Sequence, residues 1–212
     1  MASRSHAVRL QRYYIDGVRR AAANGVEGLA RTRISPNALT ATGVILCAAA
    51  SVVVYFEYRH EITAFWIGAA LFIVGSVLDI LDGALARRSN KATPFGAFVD
   101  STTDRLSEAF MLGAIALVFM RHGHEFALAA TIAALAGSFL VSYTRARAEA
   151  LGLKGDVGIG SRAERVFVIS SGLILGPWWI WLQLAIYLLA ATAWITVLQR
   201  VLSVRGQLRA RQ

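Results

Sequence analysis

The sequence predicts an all-α integral membrane fold: six transmembrane helices preceded by an amphipathic interfacial helix. Three observations predict it. The chain is 56% hydrophobic and only 17% charged, below the roughly 25% charge of soluble chains, and its mean hydropathy is +0.53. Six stretches approach the roughly 20 mostly apolar residues that a spanning helix needs. The basic residues fall at alternate ends of those stretches, the pattern left when cytoplasmic loops hold Lys and Arg.

The 212 residues suit one domain. The expected division is a basic N-terminal segment over 1–34, a six-helix transmembrane domain over 35–205 and a basic tail over 206–212. In the first segment Val8, Tyr14, Ile15, Val18, Val26 and Leu29 interleave with Arg9, Arg12, Arg19, Arg20 and Arg31. That mixture predicts a helix lying on anionic headgroups over 7–31. A loose basic tail is the other reading, because Gly17, Gly25 and Gly28 each weaken a helix by about 1 kcal/mol. No apolar core precedes a small-residue cleavage site there, so no signal peptide is expected.

The spans are expected over 36–56, 62–87, 95–120, 126–149, 162–176 and 178–202. The fifth is the weakest, since only 166–175 is continuously apolar. Basic residues concentrate in 1–34, around 87–94, over 145–165 and at the C-terminal end. Of the 22 Lys and Arg, only Arg59, Arg121 and the intrahelical Arg105 lie elsewhere. Six spans with both termini on the cytoplasmic side fit this distribution, and five or seven do not. The expected location is therefore the plasma membrane, multi-pass, with the site on the cytoplasmic side. The net charge of +9 raises nucleic acid as a partner. The charges lie between apolar runs rather than on one polar face, so no nucleic acid is expected.

The chemistry lies in four aspartates. Asp79 and Asp82 fall on the second span, Asp100 and Asp104 on the third. Spacings of i, i+3 and i, i+4 put each pair on one helix face. The short link after Arg88 makes the two helices antiparallel neighbours, so the pairs can converge. Asp79 lies about 12 Å up the helix from Arg87, inside the membrane near its edge. Four carboxylates there cannot all stay ionised without cations. All-oxygen ligands suit Mg²⁺ or Mn²⁺, and two such ions suit phosphoryl transfer. Snorkelling to the interface, or pairing with Arg87, Arg88 and Arg105, is the plainer reading, but Asp is too short to snorkel well. Gly83 and Gly96 would allow close approach by a ligand or the partner helix. Ser35 and Pro36 read as the N-cap and first position of a helix, whose free N–H groups suit an anion.

The stretch Asp79-x2-Asp82-Gly83-x2-Ala86-Arg87-x8-Gly96-x3-Asp100-x3-Asp104 resembles the signature of the CDP-alcohol phosphatidyltransferase family, with all eight fixed positions present. The six-helix plan and basic N-terminus also match. The resemblance implies that an acceptor hydroxyl attacks the lipid-side phosphate of a CDP-linked lipid, CDP-diacylglycerol, and that CMP leaves. It implies that Asp79, Asp82, Asp100 and Asp104 bind metal and that Asp104 is also the general base. It assigns Asn37, Ala38, Leu39, Thr40, Asp79, Gly83, Arg87 and Thr93 to the CDP-lipid. Homodimerisation is implied by the family alone.

Arginines at cytoplasmic helix ends suit a phosphate-bearing acceptor, because the guanidinium forks its donors onto phosphate oxygens. Ordinary positive-inside flanking explains any one of them equally well. The run from Ser142 to Glu149, with Gly-Leu-Lys-Gly-Asp and Arg-x-Glu-Arg after it, is similar to the phosphatidylinositol phosphate synthase subgroup. That resemblance implies inositol 1-phosphate as acceptor, with Ser142, Arg145, Arg147, Arg165 and Arg200 lining its pocket. Arg145 stands where the subgroup often has Lys, and Ala163 where it often has Pro. Glycerol 3-phosphate is the alternative acceptor, and a divalent-cation transporter the alternative of another class. Cys47 reads as packing, His122 and His124 as a poor metal pair, and Trp178, Trp179 and Trp181 as an interfacial belt.

Overall fold

The structure, a computed structural model, describes residues 36–88 and 93–211. The interfacial helix expected over 7–31 and the expected cap Ser35 lie outside the described residues. Among the described residues the chain is all-helical, with α1 at Pro36–Tyr55, α2 at Glu61–Arg88, α3 at Pro94–Arg121, α4 at Glu125–Ala150, α5 at Arg162–Ile174 and α6 at Trp179–Arg209. A 3₁₀ turn, Glu57–Arg59, links α1 to α2. α6 continues past residue 205, so the first residues of the expected C-terminal tail belong to that helix.

Local chemistry sets these ends. Thr93 caps α3 by accepting the Gly96 N–H at 3.0 Å, and Pro94 occupies the first turn, where its missing N–H costs nothing. Ser161 and Glu164 close a reciprocal capping box at the start of α5: Ser161 N–H donates to Glu164 at 2.7 Å and Glu164 N–H donates back to Ser161 Oγ at 3.4 Å. Gly123 and Gly152, with φ of 70° and 67°, take the left-handed turns that follow α3 and α4.

Among the described residues, four helices are long and apolar enough to cross a membrane: 37–55, 61–83, 125–150 and 179–209. The six expected spans thus divide. α3 carries Asp100, Asp104, Arg105 and Glu108 in its N-terminal half, which leaves too short a pure apolar run. α5 has 13 residues, about 20 Å of helix against roughly 30 Å of hydrocarbon.

α1 runs along α2 and also packs on α3, while α4 packs on α3 and α6, and α5 on α2 and α6. The α1–α2 crossing is made by two glycines. A Cβ on Gly43 would stand 2.8 Å from the Gly75 carbonyl oxygen, and one on Gly75 would stand 2.7 Å from that of Gly43. Small residues let membrane helices approach to this degree, and here the approach brings the start of α1 onto the acidic face of α2. The core joins Cys47, Ala50 and Val54 of α1 with Phe65 and Phe72 of α2, and Met111, Leu112, Ile115 and Phe119 of α3 with Leu182, Ile186 and Leu189 of α6. Cys47 is buried there as a packing residue.

At the end of the bundle opposite the acids, fully buried Glu57 accepts from Arg121 Nη1 at 2.9 Å on both oxygens and pairs with His122 Nε2 at 2.9 Å. Trp179 packs on His122, with ring centroids 4.2 Å apart, and on Phe65. Trp178 and Trp181 are exposed as a belt requires. Trp179 departs from that expectation because two histidine rings and a phenylalanine face it from inside.

Candidate metal centre and arginine rim

Asp79 and Asp82 are buried on α2, and Asp100 is half-buried on α3. One carboxylate oxygen from each lies within 4.8 Å of the other two. The helices reach this geometry differently from the expected side-by-side hairpin. α2 and α3 share only a small contact, and α1 supplies the broad surface against both. The acids meet where α2 and α3 come together against the first turns of α1.

The donor set fits a divalent cation. It is all carboxylate, and three like charges this close in a buried setting need a counter-charge. Hard oxygen ligands of this kind select Mg²⁺-like ions over soft metals. Asp104 adjoins the trio beside Asp79. Its Oδ1 lies 2.5 Å from Arg162 Nη2, and the same nitrogen donates to Asp79 Oδ2. Arg162 therefore bridges the two helices' acids from the first position of α5.

The expected donor residues partly gather. The Thr40 hydroxyl donates to Asp82 Oδ2, tying the start of α1 to the acids. Asn37, Thr40 and Thr93 line a mostly apolar cavity of ≈ 410 Å³ between α1 and α3, together with Gly96 and Thr103. Ala38 is exposed beside it. Leu39 is buried and packs on Leu85 of α2 in a small cluster. Gly83 is half-buried, directly after Asp82. Arg87 lies in the last turn of α2, and its side chain is outside the described residues.

The expected acceptor residues form a rim on the α4–α6 side. Arg200 donates from Nε to Val157 O at 2.8 Å and from Nη1 to Val141 O, so it joins the end of α4 and the 151–161 loop to α6. That loop is seated by Gly160, whose N–H donates to Thr196 Oγ1 at 2.9 Å. Arg145 and Arg165 both lie within electrostatic reach of Arg200. Arg165 is buried and already neutralised by Glu108, and also donates to Gly160 O at 3.0 Å. Ser142 is half-buried next to Val141, while Arg147 is exposed on the last turns of α4. Arg145 is exposed and pairs with Glu149 at 2.9 Å. The structure thus brings Arg145, Arg165 and Arg200 together and leaves Arg147 on the surface.

Two residues of this region were not singled out as site residues from the sequence: Arg162, on the acids, and Glu108, on Arg165. A signal existed for each. Glu108 follows Asp100 and Asp104 at the same four-residue spacing, and Arg162 precedes Arg165 by three, so each extends a face already marked.

Residues 33–203 match the model of the CDP-alcohol phosphatidyltransferase family. An archaetidylinositol phosphate synthase of Methanothermobacter thermautotrophicus is 38% identical over 183 residues, covering 84% of this chain and 87% of the relative. A phosphatidylinositol phosphate synthase of Mycobacterium marinum is 34% identical over 184 residues, covering 84% and 76%. Among solved structures, the Mycobacterium tuberculosis phosphatidylinositol phosphate synthase with CDP-DAG bound superposes with a TM-score of 0.75 at 29% identity, covering 87% of this chain and 94% of that one. The same enzyme in complex with manganese and citrate gives 0.76 at 30% identity, covering 87% and 88%. The acid constellation, the helical bundle around it and these matches agree, and the chain belongs to the CDP-alcohol phosphatidyltransferase family.

Proposed function

We propose that this chain is a phosphatidylinositol phosphate synthase, moving a phosphatidyl group from CDP-diacylglycerol to inositol 1-phosphate with release of CMP. The observation that carries this reading is the junction of two charged surfaces. Three carboxylates within 4.8 Å of one another abut, through Arg162, a rim built on Arg145, Arg165 and Arg200. The first suits a diphosphate bridged to cations, the second an acceptor that carries its own phosphate. The relatives' names agree on an inositol phosphate head and differ in the lipid, which supports the acceptor more than the donor's chains.

Asp79, Asp82, Asp100 and Asp104 would hold two divalent ions, Mg²⁺ or Mn²⁺. When bound, they neutralise the diphosphate and polarise the phosphorus under attack. Asn37, Ala38, Leu39, Thr40, Gly83, Arg87 and Thr93 form the donor side, with Thr40 fixing Asp82 for its role. Ser142, Arg145, Arg147, Arg165 and Arg200 form the acceptor side. Arg165 serves there while held by Glu108, so its orientation is set before substrate arrives. Asp104 takes the proton from the acceptor hydroxyl as that oxygen bonds to the lipid-side phosphorus. The bond from that phosphorus to the bridging oxygen breaks, and the electron pair leaves with CMP.

All six helices belong to the membrane-spanning bundle, with α3 and the short α5 packed against the four long apolar ones. Both termini and the site face the cytoplasm of the plasma membrane, and the enzyme works as a homodimer. The Lys and Arg distribution supports the orientation, and family resemblance supports the dimer. The reading is tested by supplying purified protein with CDP-diacylglycerol and Mg²⁺, and identifying the lipid product by mass. Phosphatidylinositol phosphate is expected from inositol 1-phosphate. Exclusive formation of phosphatidylglycerol phosphate from glycerol 3-phosphate would reassign the acceptor.

A further inference from the structure

Arg162 stands in an unusual place for a surface-derived cation. One nitrogen, Nη2, donates to Asp79 Oδ2 and lies 2.5 Å from Asp104 Oδ1, with the Asp79 side chain only 5% exposed and that of Asp104 16%. Asp79 is also one of the three carboxylates that converge. The guanidinium therefore occupies one oxygen of a carboxylate in that cluster and one of the adjoining Asp104.

Its position is set by more than attraction to the acids. The Ser161–Glu164 capping box fixes the first turn of α5. Three residues on, Arg165 is clamped to Glu108 by two hydrogen bonds. Asp104 and Glu108 are one turn apart on α3, and Arg162 and Arg165 one turn apart on α5, so two rungs tie the helices in one register. The other nearby basic group on α3, Arg105, is directed to its own backbone at Ser101.

A guanidinium keeps its charge in proteins, so it cannot yield to a second cation by losing a proton. It must withdraw from the shared oxygens as a divalent ion takes them. We propose that Arg162 is a resident counter-cation of the acid cluster, which competes with the divalent ion for Asp79 and Asp104 and lowers the site's affinity for it. This rests on the metal reading above. The consequence is that the acids stay neutralised without an ion, and that ion binding frees a guanidinium beside Arg165 on the acceptor side.

The test is Mn²⁺ binding to the full chain in detergent without substrates, followed by the electron paramagnetic resonance of free Mn²⁺, together with thermal unfolding. One charge-assisted contact per site converts to about 10-fold or more in affinity. Arg162→Ala and Arg162→Gln should each bind Mn²⁺ at least about 10-fold more tightly than wild type. Both should melt lower than wild type without Mn²⁺, and the gap should close at saturating Mn²⁺. A residue that merely shaped the loop would weaken binding or leave it alone when changed. Unchanged or weaker Mn²⁺ binding in both variants, with wild type binding normally, overturns the proposal and leaves the metal reading intact. Absence of Mn²⁺ binding by wild type and by both variants overturns both. Should Arg162→Ala fail to fold, Arg162→Gln, which keeps length and polarity, decides the same question.

Discussion

Arg165 and Glu108 meet as a two-bonded ion pair inside the bundle, Nε to Oε1 at 2.8 Å and Nη2 to Oε2 at 3.0 Å, with both side chains almost fully buried. The pair joins the first turns of α5 to the middle of α3 and fixes the loop through the third bond, to Gly160 O. Removing one partner strands the other charge in a dry site. Glu108→Ala should destabilise the protein by about 3–5 kcal/mol, and the double variant Glu108→Ala with Arg165→Met should recover part of that loss. Denaturation of the three proteins in one detergent checks this. A single variant as stable as wild type would contradict the buried-pair account.

Asp104 is the half-buried acid next to the acceptor rim. Asp104→Asn keeps the volume and removes the proton acceptor. Turnover should fall at least about 10²-fold, while the variant still inserts and folds. Near-normal turnover in the purified variant would remove Asp104 from the chemistry.

Chelation should abolish activity, and Mg²⁺ or Mn²⁺ should restore it. Ca²⁺ should restore it poorly, because its larger and looser shell does not hold attacking and leaving oxygens as closely. The measurement is CMP release before and after EDTA, with each ion added back. Full activity in chelator-treated, metal-free enzyme is the contrary result.

Arg145 offers the cleanest test of the acceptor rim. It is exposed and its pair with Glu149 is a surface one, so its loss has little effect on stability. Arg145→Ala should raise the KM for inositol 1-phosphate by about 10-fold and leave that for the CDP-lipid nearly unchanged. Paired titrations of the two substrates check it. An effect confined to the CDP-lipid would move Arg145 to the donor side.

Helix limits were legible in the sequence because the ends of apolar runs mark them: the expected limits agree with the observed ones to within two residues except at the end of α6, expected at 202 and observed at Arg209. The acids were legible because ionised groups within apolar helices are costly and rarely incidental. What failed to show needed tertiary register. Nothing local says that Arg165 would choose Glu108, or that Arg162 would reach past it to Asp79 and Asp104. Leu39 was grouped with its neighbours by resemblance, yet it is buried on Leu85 while Asn37 and Thr40 line the cavity. The role of α1 as the packing surface for both acidic helices also came from Gly43 and Gly75, whose meeting is visible only in three dimensions.

The central claim is that a phosphorylated polyol is the acceptor because the rim is built of guanidinium groups. A neutral polyol would bring those groups no phosphate oxygens, and two lost charge-assisted contacts correspond to about 10²-fold or more in binding. The most direct measurement is the rate of CMP release from CDP-diacylglycerol with inositol 1-phosphate, glycerol 3-phosphate or free inositol at one concentration. Fast release with inositol 1-phosphate, and at least about 10²-fold slower release with free inositol, is the expected result. Equal release with free inositol, or none above background with inositol 1-phosphate, would contradict it.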